Sequence, residues 1–568
     1  MSILFIPIFI SGCASTEGLF NVIEPQVTRY RVPYVRSPES KAVHYYLSSE
    51  FHLNYGDLHG AIKDLQLAIA NDSSSPYLYT RLAALYLRAG DTVLAINNAE
   101  EALLLDPDFL EAHRLLAALY SSANKIDLAI ARYEKIIELD KEDEEANLFL
   151  GILYSTLSDY EKSIKSFNSL LEINSESIMA YYYMGRVYSD MRLFSRAIEF
   201  YSKALSFKAS FRGALYELAF LYEMEGKTEL AIETYEKLLH FHPNDEGGRN
   251  RLGNLLIKGN RYDEALKQFE EMKKTSSNLG AVRLKMGLIH LEQGNIDAAI
   301  REFQLTADSD PGNDMAVYYL GIAYMDKGLL NLAAEKFSQI PESSNYYREA
   351  LLNIGHILKK DDKKEEAIAL MEEAIESGFG SIEYYNLLTS LYADLEAYER
   401  GVLFLQKMIA LTPGDKELHF SMGSIYERWK KFDKSIEAMK KVLEIDPDHA
   451  NAMNYLGYTY ADMGENLDEA EELTLRALEI KPENGYIMDT LGWVYYKKKN
   501  YKKAVSVLKK ATQLSPNDAI IIEHLGDAYL KSGKREKAKE MFKKSFDILS
   551  NESEKKRILE KLDKIKSR

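Results

Sequence analysis

The chain has 568 residues, 46% of them hydrophobic and 28% charged, and a net charge of −16. That balance belongs to a folded chain rather than a disordered one, and an acidic body excludes broad nucleic-acid binding, which needs clustered Lys and Arg against phosphate. One cysteine excludes an intramolecular disulfide and a cysteine-rich zinc site.

In chain order, the first feature is MSILFIPIFISGCAS, an apolar run closed by Ile10-Ser11-Gly12-Cys13. The run is too short to span a bilayer. Small residues placed just before a cysteine resemble a bacterial lipoprotein signal, with residues 1–13 as the signal peptide. The resemblance implies that Cys13 becomes the first mature residue and carries the lipid, whose buried methylenes contribute about 0.8 kcal/mol each to membrane attachment. No Lys or Arg precedes the apolar run, a departure from export signals that a start codon placed too late would explain. Residue 14 is Ala rather than Asp, which in enterobacterial lipoproteins goes with the outer membrane, facing the periplasm. Residues 14–41 show no helical period and hold Pro25, Pro33 and Pro38; they read as a flexible tether.

From there a period governs the chain. A small residue recurs at Ala61, Ala95, Ala129, Ser163, Ala197, Ala231, Ala265, Ala299, Ala333, Ala367, Gly401 and Ser435, and then at Ala470, Ala504 and Ala538. The step is 34 residues, apart from one of 35 at Gly464-Glu465-Asn466. Twelve residues earlier stands a second small residue, as at Ala83, Gly151, Gly287 and Gly526, and nine earlier an aromatic, as at Tyr86, Tyr154, Tyr392 and Tyr529. Prolines such as Pro107, Pro243, Pro447 and Pro516 close many units. Each unit predicts two short antiparallel helices whose small residues permit close packing, with proline stopping the second. A single hairpin cannot bury its apolar face, so neighbours stack.

This spacing is identified as the tetratricopeptide repeat, and it covers residues 42–548. The resemblance implies an all-α, right-handed superhelical solenoid of about fifteen helix-turn-helix units. It assigns most of the 39 tyrosines to packing between units, with the hydroxyl reaching the surface. Residues 549–568 follow as a basic capping helix, in which Ile558, Leu559, Leu562 and Ile565 fall on one face. From Lys497 onward 21 Lys and Arg stand against 10 Asp and Glu, so the acidic surplus lies wholly before that point.

Catalytic motifs do not occur: HExxH, GxxxxGK[ST], GxSxG and a dinucleotide glycine run are missing from the sequence. His240 and His242 flank Phe241 on opposite faces, unsuited to a two-ligand helical site. The reading is a protein that is not an enzyme and uses no cofactor or metal. In the repeat, helix-A positions two, five, nine and twelve point into the concave groove. By that register the candidate partner-binding residues are Tyr182, Arg186, Tyr216, Phe220, Asn250 and Asn254, and toward the C-terminus Tyr455, Tyr458, Asp489, Trp493, Tyr496, Glu523 and Asp527. Aromatics mixed with Asn, Arg and carboxylates suit capture of a protein or peptide. Asn250, Asn254 and Lys258 resemble a fragment of the chaperone-type carboxylate clamp.

The stretch NYLGYTYADMGENLDEAEELTLRALEIKPENGYIMDTLGW, from Asn454 to Trp493, is similar to the C-terminal repeats of long outer-membrane lipoproteins, including the partner of a carboxyl-terminal processing protease. That resemblance implies a lipid-anchored periplasmic adaptor that recruits an envelope protease or cell-wall enzyme with its substrates. Two alternatives stand beside it: a scaffold lipoprotein of an exopolysaccharide or secretion assembly, and a cytoplasmic co-chaperone if Cys13 is not lipidated. Partner identity, oligomeric state and superhelix curvature are not set by these residues.

Overall fold

Alternation of small and bulky side chains at a fixed period produces paired helices, and the computed structural model, which describes residues 37–566, shows them in that order. Among the described residues thirty helices follow one another as fifteen hairpins, from α1 (Pro38–Asn54) to α30 (Arg535–Ile548), and α31 (Glu552–Lys566) closes the series. Residues 1–13 with Cys13, and the tether as far as residue 36, lie outside the described residues. The helical part begins earlier than position 42. Ser37 caps α1 by accepting from the Ser40 amide, and Pro38 opens the helix. A proline costs nothing at that first position, where the amide it lacks would have had no partner, so what reads as the end of a tether is a helix start.

The chain divides into two compact bodies, one ending at Gly248 and one beginning at Arg249. In each, the period-defining residues are the helix contacts. Ala61, Ala95 and Ala197 in the first body, and Ala265, Ala333 and Ala504 in the second, are fully buried. Where serine takes this place its hydroxyl donates to a carbonyl of the facing helix: Ser163 to Gly151 at 2.7 Å and Ser435 to Gly423 at 2.8 Å. The second small residue makes room for a large side chain sixteen positions on. A Cβ on Gly151 would sit 2.4 Å from the Phe167 ring, and one on Gly287 would sit 2.4 Å from Phe303. In the unit where Ala83 holds that place, the residue sixteen on is Ala99, and both are fully buried.

The repeat tyrosine spans successive hairpins. Its hydroxyl meets a residue twenty positions back: Tyr120 donates to Glu100 at 2.5 Å, Tyr154 to Glu134 at 2.5 Å, and Gln66 donates to Tyr86 at 2.7 Å. Burial, with the Glu100 carboxylate second, pushes the Tyr120 phenol up to about 12. The turn inside each hairpin places one residue in the left-handed region, Gly90 at φ 85° in one unit and Asn124 at φ 55° in the next. At the 35-residue step α25 (Ala450–Met463) is closed by Gly464 at φ 75°, and Asn466 at φ 48° starts α26 (Leu467–Ile480), so the extra residue is absorbed by a second left-handed turn. The regularity loosens between 330 and 380. There α18 (Leu330–Ser338) has nine residues, and α20 (Lys364–Ala374) runs into a π-turn ending near Gly378.

Valine at Gly151 forces a branched side chain into the Phe167 ring. The expected loss is about 1–3 kcal/mol of stability, read as a lowered urea midpoint for loss of helical circular dichroism.

Candidate functional site

The candidate residues separate into three groups. In the first body α9 (Ile178–Asp190) and α11 (Arg212–Met224) carry Tyr182, Arg186, Tyr216 and Phe220. Tyr182 lies edge-on to Phe211 and Tyr183, both at 5.2 Å, and 5.9 Å from Tyr201. It covers the backbone at Gly213, and burial raises its phenol pKa. Tyr182 is therefore a packing residue between hairpins. Tyr216 meets the Tyr235 ring edge-on at 6.2 Å, and Phe220 is half-buried. Arg186 is exposed, with its guanidinium 5.8 Å from the Tyr183 ring.

At the start of the second body Asn250 and Asn254, one turn apart on α13 (Glu246–Lys258), face the same cation. It is Lys285 of α15 (Leu279–Glu292), whose ammonium donates to the Asn250 Oδ1 at 2.6 Å and to the Asn254 Oδ1 at 3.0 Å. Lys258 is exposed at the end of α13, so the clamp-like set uses Lys285 in its place. Desolvation lowers the Lys285 pKa, because amide oxygens orient an ammonium without neutralising it. Sequence register reaches Lys285 only if the neighbouring hairpin is read together with α13.

The third group surrounds α25, α27 (Gly485–Lys497) and α29 (Ala519–Lys531). Trp493 stacks on Tyr496 at 4.6 Å and on His524 at 4.2 Å, with nearly parallel rings. Nδ1 of His524 lies 3.0 and 2.9 Å from the two Asp489 carboxylate oxygens, and both residues are buried. Beside them Glu523 and Asp527 are engaged by α31. Arg557 donates to Glu523 at 2.6 Å, and Lys561 reaches Glu523 at 2.7 Å and Asp527 at 2.5 Å. Burial raises Asp527 against the pull of Lys561. Two of the proposed partner-binding carboxylates are thus occupied by the chain's own basic helix, which also inserts Ile558 and Leu562 into the last core cluster.

What stays open is the wall formed by Tyr458, which is 36% exposed, and Tyr486, which is 60% exposed. They border a cavity of about 240 Å³ together with Asn454, Tyr455, Asp489 and Asp518. Burial first, then Asp462, Asp489 and Glu427, push the Tyr458 phenol up to about 12, opposed by Arg557. Counted from Gly457, the groove position nearest Tyr455 is Asn454, and Tyr455 itself turns toward Phe420 at 6.2 Å and into the core. His524, which orients Asp489, carries no period-based signal. Among the described residues there is no group of three His, Cys, Asp or Glu placed to hold a metal, and no helix long and apolar enough to cross a membrane.

Models of the tetratricopeptide repeat match residues 86–151, 144–177, 180–211, 213–245, 284–348, 349–377, 417–449, 438–472 and 521–548, and a TPR repeat model matches 492–533. Together these matches extend over more than half of the chain. The human protein O-mannosyl-transferase TMTC1 is 28% identical over 114 residues, which is 19% of this chain and 13% of that protein; this chain therefore corresponds to a small part of that relative's length. MamA from Desulfovibrio magneticus RS-1 is 20% identical, covering 30% of this chain and 97% of that one with a TM-score of 0.29. The Naa15/Naa10 complex bound to HypK-THB gives 15% identity, 93% and 97% coverage and a TM-score of 0.32. These structural likenesses carry no argument about function.

Burial opposes a charge on His524, but Asp489, with Asp527 and Glu523 behind it, prevails and raises its pKa above the ordinary value near 6.5. A raised histidine pKa stabilises the fold fully below the unfolded value, and that contribution is lost as pH climbs through the folded value. The urea midpoint of the intact chain is expected to fall across the alkaline side of about pH 6.5. His524→Gln is expected to lower the midpoint at pH 6 and to flatten this dependence.

Proposed function

We propose that this chain, which belongs to the tetratricopeptide-repeat proteins and is a protein-interaction scaffold, serves the bacterial cell envelope. Lipid on Cys13 anchors it to the outer membrane on the periplasmic side. From there it recruits an envelope protease or cell-wall enzyme and presents substrates to it, with no catalytic chemistry of its own. Tethering two partners to one surface raises their effective concentration, to the millimolar range for short flexible linkers.

The carrying observation is the open wall of Tyr458 and Tyr486 beside the Asp489–His524 pair. Exposed aromatics rimmed by polar groups on a rigid helical frame are what a protein-binding surface needs. This wall lies within the Asn454–Trp493 stretch whose sequence is similar to envelope adaptor lipoproteins. The Ile10-Ser11-Gly12-Cys13 sequence supports the anchor.

Two measurements test this. Full-length protein fractionated from a Gram-negative host is expected in the membrane pellet, and Cys13→Ala is expected to move it to the soluble fraction; retention of the variant in the pellet rules out the lipid anchor. Mild-detergent capture from envelopes is expected to yield a processing protease or wall hydrolase, at least tenfold reduced by Tyr458→Ala. Recovery of polysaccharide-export or secretion components alone would replace the adaptor reading with the assembly-scaffold one. Tyr458 is the better probe than Trp493, because Trp493 is held between two rings and its loss would disturb the frame.

A further inference from the structure

The cavity between α25, α27 and the start of α29 has a marked chemical bias. Its volume, about 240 Å³, is below the roughly 300–1,000 Å³ of small-molecule sites and suits one long side chain. Tyr455, Tyr458 and Tyr486 contribute aromatic surface and Asp518 contributes a carboxylate, while the Asp489 carboxylate on the wall is already paired with His524. No Lys or Arg lines it. The nearby cation Arg557 is already committed to Glu523 at 2.6 Å.

Its hydrogen-bonding groups include acceptors without a donor. The Asn454 Oδ1 is buried and has no hydrogen-bond partner, an arrangement that folded proteins rarely tolerate without an incoming donor. Of the hydroxyls on the cavity wall, Thr490 donates to the Tyr486 carbonyl at 3.2 Å, and the buried Tyr455 hydroxyl, which can donate or accept, has no partner. Asp518 accepts from the Ile520 and Ile521 amides at 2.9 and 3.0 Å through one oxygen, Oδ1, which leaves its other carboxylate oxygen for a ligand. What fits is a group that brings donors, carries positive charge and lies flat on tyrosine.

We propose that this cavity is a specificity pocket for an arginine side chain presented by a partner protein in extended conformation. The guanidinium stacks on Tyr458 and Tyr486 and donates to the Asn454 Oδ1 and the Asp518 carboxylate. Arginine is favoured over lysine because its planar fork both stacks and donates in several directions, whereas an ammonium is a point charge with a tighter water shell. The assignment deepens the scaffold reading and rests on it.

The test uses the full chain in detergent and a displayed library of random twelve-residue peptides. Enriched peptides are then measured by fluorescence anisotropy with the key residue as arginine, lysine or citrulline, the last being the neutral isostere. The pocket is supported if the peptides share an arginine, if citrulline weakens binding at least tenfold, if Asp518→Asn weakens the arginine form but not the citrulline form, and if Tyr486→Ala weakens the arginine form more than the citrulline form. Both variants are conservative for folding, since Tyr486 is exposed and asparagine still caps a helix. Peptides that bind the groove but tolerate citrulline, or lack a basic residue, would overturn the arginine pocket while leaving the scaffold intact. If no peptide is enriched against the intact chain, the arginine pocket falls, and the capture from envelopes decides the scaffold reading separately.

Discussion

The seating of a large side chain against a helix backbone, made possible by a missing side chain there, is the contact on which everything else depends. Gly287 lets Phe303 lie against its Cα, and Gly253 does the same for Phe269. Each such ring is fully buried, so each hairpin gains much of its apolar burial at one point. A fully buried phenylalanine contributes about 1.5–3 kcal/mol, which a lone hairpin cannot match elsewhere. Because the contact recurs every 34 residues, stability accumulates locally, unit by unit, and a face can diverge in chemistry without disturbing its neighbours.

The helix-A faces show that freedom. In the first body aromatic positions such as Tyr182 are spent on covering the next hairpin. At the start of the second body the same register holds two asparagines around a desolvated lysine. Near the C-terminus it holds tyrosines, carboxylates and a buried histidine. One frame therefore presents a cationic spot and an acidic aromatic cavity within the second body. Function is written in these local substitutions rather than in the fold, which hosts many partners in its family.

The basic terminus acquires its role from the same frame. Arg557 and Lys561 meet Glu523 and Asp527, carboxylates that the register alone assigns to a partner. A buried carboxylate left unpaired would be costly, and α31 supplies its counter-charges while covering the last apolar face with Ile558 and Leu562. The cap and the neighbouring site are thus built from one set of charges, with the Asp489–His524 pair directly beside it.

The helix pairs, their turns and the placement of the small residues were legible in the amino-acid sequence, because a strict period of 34 leaves one arrangement in which Ala61, Ala95 and their counterparts are all inside. The insertion at Gly464-Glu465-Asn466 was legible too, as a break in that period. Periodicity assigns a side chain to a helix face but not to its neighbour on that face. It could not show that Tyr182 packs while Tyr458 stays open, since that turns on whether Phe211 or a cavity stands opposite. Nor could it pair Lys285 with Asn250, 35 residues away, or His524 with Asp489, also 35 away. Those partnerships arise when adjacent hairpins stack. Distance along the chain then ceases to measure distance in space, and burial decides which charges need a partner.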